Sequence, residues 1–190
     1  MSEPSAVKAA AVAFPIIVIV VSVLFAISYL LSTLLGLPFS IGPPAVVRIV
    51  GGAIVLAGLL VIGWVFRHRS PSKVIVSTYI TFTKLFGRAL VADRAGRSEP
   101  LVVDGPQKYV RNPLYFGVVV MVFGWGLLTG DSFVLVATIV LLLWFGLFLI
   151  PFEERELQAL FGEEWRRYAG RTPMLIPFTK RRKKRAVVAS

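Results

Sequence analysis

A hydrophobic hairpin bracketed by polar sequence constrains this chain more than any other feature. The run Gly105-Pro106-Gln107-Lys108-Tyr109-Val110-Arg111-Asn112-Pro113-Leu114-Tyr115 leads into an apolar stretch that turns at Gly130-Asp131, returns, and meets Pro151-Phe152-Glu153-Glu154. Each leg, residues 114–129 and 132–151, is about long enough to cross a ~30 Å hydrocarbon core at ~1.5 Å per residue. Two crossings return the chain to the side it left. Arg111 and the Glu153/Glu154 pair are therefore expected at one membrane face and at similar depth, although some forty residues separate them. Ionisable groups held at a bilayer boundary on neighbouring helices point to a site.

Composition agrees with a membrane setting. The 190 residues are 56% hydrophobic and the mean hydropathy is +0.78, too apolar for an ordinary soluble domain. The expectation is an all-α integral membrane protein forming a single domain over 1–190. Cysteine is absent, which excludes disulfides, thiolate nucleophiles and cysteine-ligated metals. The single histidine, His68, lies in the basic run Arg67-His68-Arg69, so no multi-histidine metal site exists and no metal is expected. Net charge is +11, and its placement matters more than its size. Of 21 Lys and Arg, nine fall between Arg67 and Arg111 and ten between Arg155 and Arg185. These cations flank apolar spans instead of forming a separate basic domain. The positive-inside rule explains them better than nucleic-acid binding does.

Four spans are predicted. Residues 12–35 and 45–66 form an N-terminal helical hairpin (12–66) around the uncharged, turn-rich loop 36–44, and the two legs described above complete the set. Gly51, Gly52, Gly58 and Gly63 in the second span suit close helix approach. Between the pairs, Lys73, Ser77, Thr81, Lys84 and Arg88 recur at helical spacing on one face, with apolar residues behind them. This basic stripe with an apolar back suits a helix lying in the interface; the alternative is a fifth crossing with Lys84 and Arg88 turned into the bundle. Asn112-Pro113 reads as a helix start, with asparagine as N-cap. An amphipathic helix over 152–169 follows the hairpin, with Leu157, Leu160, Phe161, Trp165 and Tyr168 along one face. The tail, 179–190, carries Lys180 through Arg185, six consecutive cations suited to anionic membrane lipids.

A carboxylate half-buried near a bilayer is costly without a cationic partner. Arg111 and Glu154 can close the hairpin as a structural ion pair, or both can face a polar ligand such as a zwitterionic amino-acid head. Tyr109 and Tyr115 flank Arg111 and suit either stacking or the interfacial aromatic belt. No glycine-rich phosphate loop is present.

The pattern Gly105-Pro106-x-x-Tyr109-Val110-Arg111-Asn112-Pro113-Leu114-Tyr115 with Glu153-Glu154-x-x-Leu157-x-x-x-Phe161-Gly162-x-x-Trp165-x-x-Tyr168 resembles the isoprenylcysteine carboxyl methyltransferase family and the related phospholipid methyltransferases. Arg171-Thr172-Pro173-Met174-Leu175-Ile176-Pro177 is similar to that family's closing segment. The resemblance covers 100–178, taken as the catalytic region. It implies an S-adenosyl-L-methionine-dependent membrane methyltransferase with its site on the cytosolic face. Arg111 and Glu154 would be catalytic. Gly105, Tyr109, Asn112, Pro113, Tyr115, Glu153, Glu154, Tyr168, Ile176 and Pro177 would bind the cofactor. A lipid-like or prenylated acceptor would enter from the bilayer, with carboxyl O-methylation of an isoprenylcysteine-like substrate as the expected reaction. Ethanolamine-phospholipid N-methylation and an NADPH-dependent sterol-reductase-like activity are the alternatives. Two departures stand out: Asn112 where many members have histidine, and Gln107-Lys108 where Tyr-Arg is common.

Overall fold

The computed structural model of the chain describes residues 5–87 and 100–179. The basic tail 180–190 and Arg88 lie outside them. Among the described residues there are six α-helices and no strand: α1 (Ala6–Leu34), α2 (Ala45–His68), α3 (Pro71–Gly87), α4 (Pro113–Thr129), α5 (Ser132–Trp144) and α6 (Ile150–Arg171). A 3-10 turn, Gly105–Lys108, precedes α4, and a π-helical turn, Phe145–Leu149, joins α5 to α6. Three helices are long and apolar enough to cross a membrane: Val7–Leu34, Ala45–His68 and the continuous Ser132–Arg171. The 17-residue α4 is a shorter apolar helix. The result is the expected all-α membrane protein, and α3 belongs to neither apolar group.

The two helices of the N-terminal pair each find their main partner elsewhere. The α2 helix packs along α4, while α1 packs on α5 and α3. Glycines explain the α2–α4 seam. A Cβ on Gly51 would sit 2.6 Å from the Leu128 nitrogen, and one on Gly58 would sit 2.7 Å from the Met121 nitrogen. From the other side, a Cβ on Gly124 would lie 2.6 Å from the Val55 nitrogen, and one on Gly117 would lie 3.2 Å from the Gly58 oxygen. Both pairs are spaced by seven residues and the helices run antiparallel, so Gly51 meets Gly124 and Gly58 meets Gly117. Small residues at such a seam let dispersion and backbone contact replace the hydrophobic drive that lipid removes. Gly63 has open space where its Cβ would be, and Gly52 would meet only the tip of the Leu128 side chain. Two of the four candidate glycines therefore carry the approach.

The turn at Gly130 is as expected and is tied down from outside. Gly130 caps α4 with φ 79, and its oxygen accepts from the Ile41 nitrogen at 2.9 Å. The Ser132 hydroxyl donates to the Pro38 carbonyl at 2.5 Å, and Phe39 stacks on Phe133 at 5.8 Å. The uncharged loop 36–44 is thus a clasp on the hairpin tip.

The expected break between the second leg and the amphipathic helix at Pro151 is absent. The π-helical turn carries α5 directly into α6, and Pro151 lies just after it inside the continuous helix Ser132–Arg171. The break comes later, at Gly162 (φ 53, ψ −119), a conformation that glycine alone adopts without strain. A core cluster of Leu24, Leu141, Phe145, Leu149, Ile150 and Leu175 draws α1, α5, α6 and the closing segment together.

Candidate functional site

The site forms where the open ends of α4 and α6 meet α3, the Gly105–Lys108 turn and the closing segment. Glu153 and Glu154 are consecutive on a helix, so their side chains diverge by about 100°. Glu154 turns to Arg111, with its Oε1 3.1 Å from the Arg111 Nη2. The guanidinium side chain is 3% exposed and the carboxylate 18%, and the guanidinium carbon lies 5.6 Å from the centre of the Trp165 ring. Glu153 turns the other way. Its Oε1 accepts from the Tyr115 hydroxyl at 2.8 Å and from the Thr81 hydroxyl at 3.2 Å. Tyr115 is itself held by stacking on Phe145 at 4.7 Å, within the π-helical turn. Such turns recur at functional sites because they reset which side chains face inward.

Two clefts open on either side of this wall. The larger when the open space at its mouth is counted, about 820 Å³ in all, is lined by apolar Val65, Val74, Leu101, Leu157 and Phe161 and by polar Ser77, Thr78, Gln107, Asn112 and Glu153. The second, about 710 Å³, is lined by Pro151, Glu154, Arg155, Gln158, Arg166 and Ala169. Arg111 and Trp165 line both. The two acids are thus assigned one to each cleft.

The closing segment is fastened by its backbone. The Arg111 nitrogen donates to the Pro173 carbonyl at 2.9 Å, the Asn112 amide donates to the Met174 carbonyl at 2.9 Å, and Leu175 is 5% exposed in the core cluster. Asn112 occupies the N-cap position of α4 but makes no side-chain cap bond, so its amide serves the closing segment instead. Tyr168, placed beyond the Gly162 break, donates its hydroxyl to the Gln107 carbonyl at 2.8 Å. The kink therefore folds the Trp165–Tyr168 turn back over the larger cleft.

Of the residues expected at the site, Arg111, Asn112, Pro113, Tyr115, Glu153 and Tyr168 line the larger cleft, while Glu154 lines the second. Four expected residues line neither. Tyr109 is half exposed and tilts against Trp64 at 5.8 Å. Gly105 (φ 61) leaves room for the His68 ring, which a Cβ would approach to 2.6 Å. Ile176 is 54% exposed, and Pro177 follows it in the outer part of the closing segment. Aromatic and glycine positions beside Arg111 need not share its direction, because neighbouring residues on a turn diverge.

Sequence reasoning missed Thr81, Ser77, Thr78, Gln107, Val65 and Arg69. The basic-stripe reading of α3 does not describe Ser77, which lines the larger cleft, or Thr81, which donates to Glu153. Thr81 is 2% exposed and, with Val74, Val76 and Phe82, is buried. The hydroxyl meets a half-buried carboxylate, which hydrogen-bonds it better than a crowded interface would. The i, i+4 spacing of Ser77 and Thr81 is the sequence signal for this wall, since hydroxyls on a helix face can turn to a buried acceptor where lysines cannot. The lining of the larger cleft also reaches upstream of residue 100, since α2 and α3 supply part of its wall.

Comparison with known proteins agrees with this extension. A profile of the phospholipid methyltransferase family matches residues 47–164. The chain is 34% identical to the methanethiol S-methyltransferase of Crocosphaera subtropica over 134 residues, 67% of this chain and 48% of that protein. It is 36% identical to methanethiol S-methyltransferase 1 of Bradyrhizobium diazoefficiens over 73 residues, 38% of this chain and 25% of that one. The chain thus spans about half the length of these curated relatives, or less. No solved structure matches it significantly. The matched stretch takes in the glycine seam, Arg111 and both glutamates, and by that match the chain belongs to the phospholipid methyltransferase family.

Proposed function

We propose that this chain is an integral membrane methyltransferase that uses S-adenosylmethionine to methylate a small or amphiphilic nucleophile reaching the cleft from the bilayer. Family membership and the names of the relatives support the reaction class. The observation that carries the reading is Glu153: a carboxylate fixed by two hydroxyls in an open cleft with aromatic walls. Such a group suits a cationic ligand, because its orientation and desolvation precede binding. The bound donor supplies a methyl carbon made electrophilic by its sulfonium. The chain's own residues hold the charged and planar parts of that ligand, align the acceptor and exclude water. Glu153, Phe161, Trp165 and Tyr168 are the residues for binding, and Asn112 and Leu175 hold the covering segment down.

For the acceptor, a thiol is the first choice. Arg111 is already met by Glu154 at 3.1 Å, so an acceptor carboxylate would have to share the guanidinium with that acid. The methanethiol S-methyltransferase names of the relatives point the same way. The isoprenylcysteine-like carboxylate is the second reading, favoured by Arg111 lining both clefts. A phospholipid amine would need deprotonation, with Glu153 as the carboxylate in reach of the larger cleft. In each case the site faces the cytosol, as the flanking cations direct, and the tail Lys180–Arg185 adds about 1 kcal/mol per cation against anionic lipid.

The test is titration of the purified protein with S-adenosylhomocysteine, followed by turnover with labelled S-adenosylmethionine and three acceptors. A volatile thioether, base-labile methanol or an N-methylated lipid identifies the acceptor class. Glu153→Gln is expected to weaken S-adenosylhomocysteine by about 10- to 100-fold, the loss of one charge-assisted contact. Stabilisation by NADPH with no response to S-adenosylhomocysteine would overturn the reading.

A further inference from the structure

Gln107 is a buried polar side chain that the site's internal bonding leaves unused. The residue is 6% exposed and lines the larger cleft. Its backbone carbonyl accepts from Tyr168 at 2.8 Å, but its carboxamide oxygen has no hydrogen-bond partner. The turn that presents it is stiff. Pro106 fixes φ at the preceding position, and the Pro106 carbonyl accepts from the Tyr109 and Val110 nitrogens at 3.1 and 3.3 Å. The turn is also stapled to α6 through Tyr168. A buried amide group without a partner is rare in folded proteins and calls for an explanation. Packing alone would be served as well by methionine or leucine.

We infer that Gln107 is a ligand-recognition residue whose carboxamide oxygen accepts an N–H from an amine-bearing nucleoside donor bound in the larger cleft. The inference rests on the methyl-donor reading above and adds to it the group that the donor must present. Glu153 and Gln107 are two acceptors, one charged and one neutral, on the walls of one cleft. Together they select a ligand that carries positive charge and offers N–H groups. S-adenosylmethionine has both an ammonium and a nucleobase amine. A simple thiol, the acceptor favoured above, offers no N–H for this oxygen, so with that acceptor the residue acts on donor affinity and not on acceptor choice.

The experiment compares wild-type protein, Gln107→Met and Gln107→Leu by titration with S-adenosylhomocysteine and by thermal unfolding without ligand. Both variants are expected to weaken S-adenosylhomocysteine about tenfold, the effect of one lost hydrogen bond. The ligand-free melting temperature should stay level or rise, because the unpaired carboxamide is gone. Titration with 5′-methylthioadenosine, which lacks the ammonium, then assigns the contact. If the tenfold loss persists, the bonded amine is on the nucleobase; if it vanishes, the bonded group is the ammonium. Unchanged S-adenosylhomocysteine affinity in a variant that folds, or a loss of melting temperature with affinity kept, overturns the inference while leaving the methyl-donor reading intact. Absence of binding to the wild-type protein would instead sink that reading itself.

Discussion

The two ends of the α4–α5 hairpin are built on opposite principles. At the Gly130 end, the loop 36–44 meets the turn through backbone hydrogen bonds and stacked aromatic rings, and every residue of that loop is uncharged. At the Arg111 end, a guanidinium, two carboxylates, an asparagine and a buried glutamine crowd around two clefts. The first end gathers groups that satisfy one another; the second keeps costly groups half-buried with space beside them. A buried ion pair is weak evidence for stability, because well-packed apolar residues do as well. The charged end is therefore the one whose composition function explains.

The α2–α4 seam supports both ends, and breaking it should erase the contrast. Gly58→Leu would drive a branched side chain into the α4 backbone, which a Cβ alone already meets at 2.7 Å. Loss of folded, monodisperse protein in detergent is expected, an overpacking cost above the usual ~1–3 kcal/mol. Size-exclusion profiles check it.

Arg111→Ala should act on one end alone. Removing the guanidinium takes away the cation 3.1 Å from Glu154 and is expected to destabilise by about 3–5 kcal/mol and abolish turnover. The double variant Arg111→Ala/Glu154→Gln should recover most of the melting temperature but none of the turnover. A cycle of thermal and kinetic measurements separates the two effects. Recovery of turnover would show the pair to be a structural closure only.

Gly130→Ala should act on the other end. The left-handed backbone (φ 79) disfavours a side chain, and its Cβ would collide with the Pro43 ring. A loss of about 1–3 kcal/mol is expected, with S-adenosylhomocysteine affinity unchanged; a fall in affinity would show that the ends are coupled. The smallest effect is that of Asn112→Ala, which removes one bond to the Met174 carbonyl. It should cost about 1 kcal/mol and weaken S-adenosylhomocysteine a few-fold by loosening the segment anchored at Leu175.

Much of this was legible from residue order. Span lengths, the turn at Gly130-Asp131 and the meeting of Arg111 with Glu154 follow from counting residues against a bilayer's thickness, because a helix rises by a constant amount. The residue motif also located the family. What order alone could not supply was direction around each helix axis. Glu153 and Glu154 look equivalent in the chain, yet one joins Tyr115 and Thr81 and the other joins Arg111. Their roles depend on a π-helical turn and on which neighbours lie 100° apart. Likewise Gly51 and Gly58 matter because Gly124 and Gly117 arrive opposite them, and Tyr109 lies against Trp64 instead of lining either cleft. Local periodicity sets which segments cross the lipid, since each residue's own hydrophobicity suffices for that. Contacts between distant segments assign each side chain its partner, since that depends on shapes the single segment does not contain.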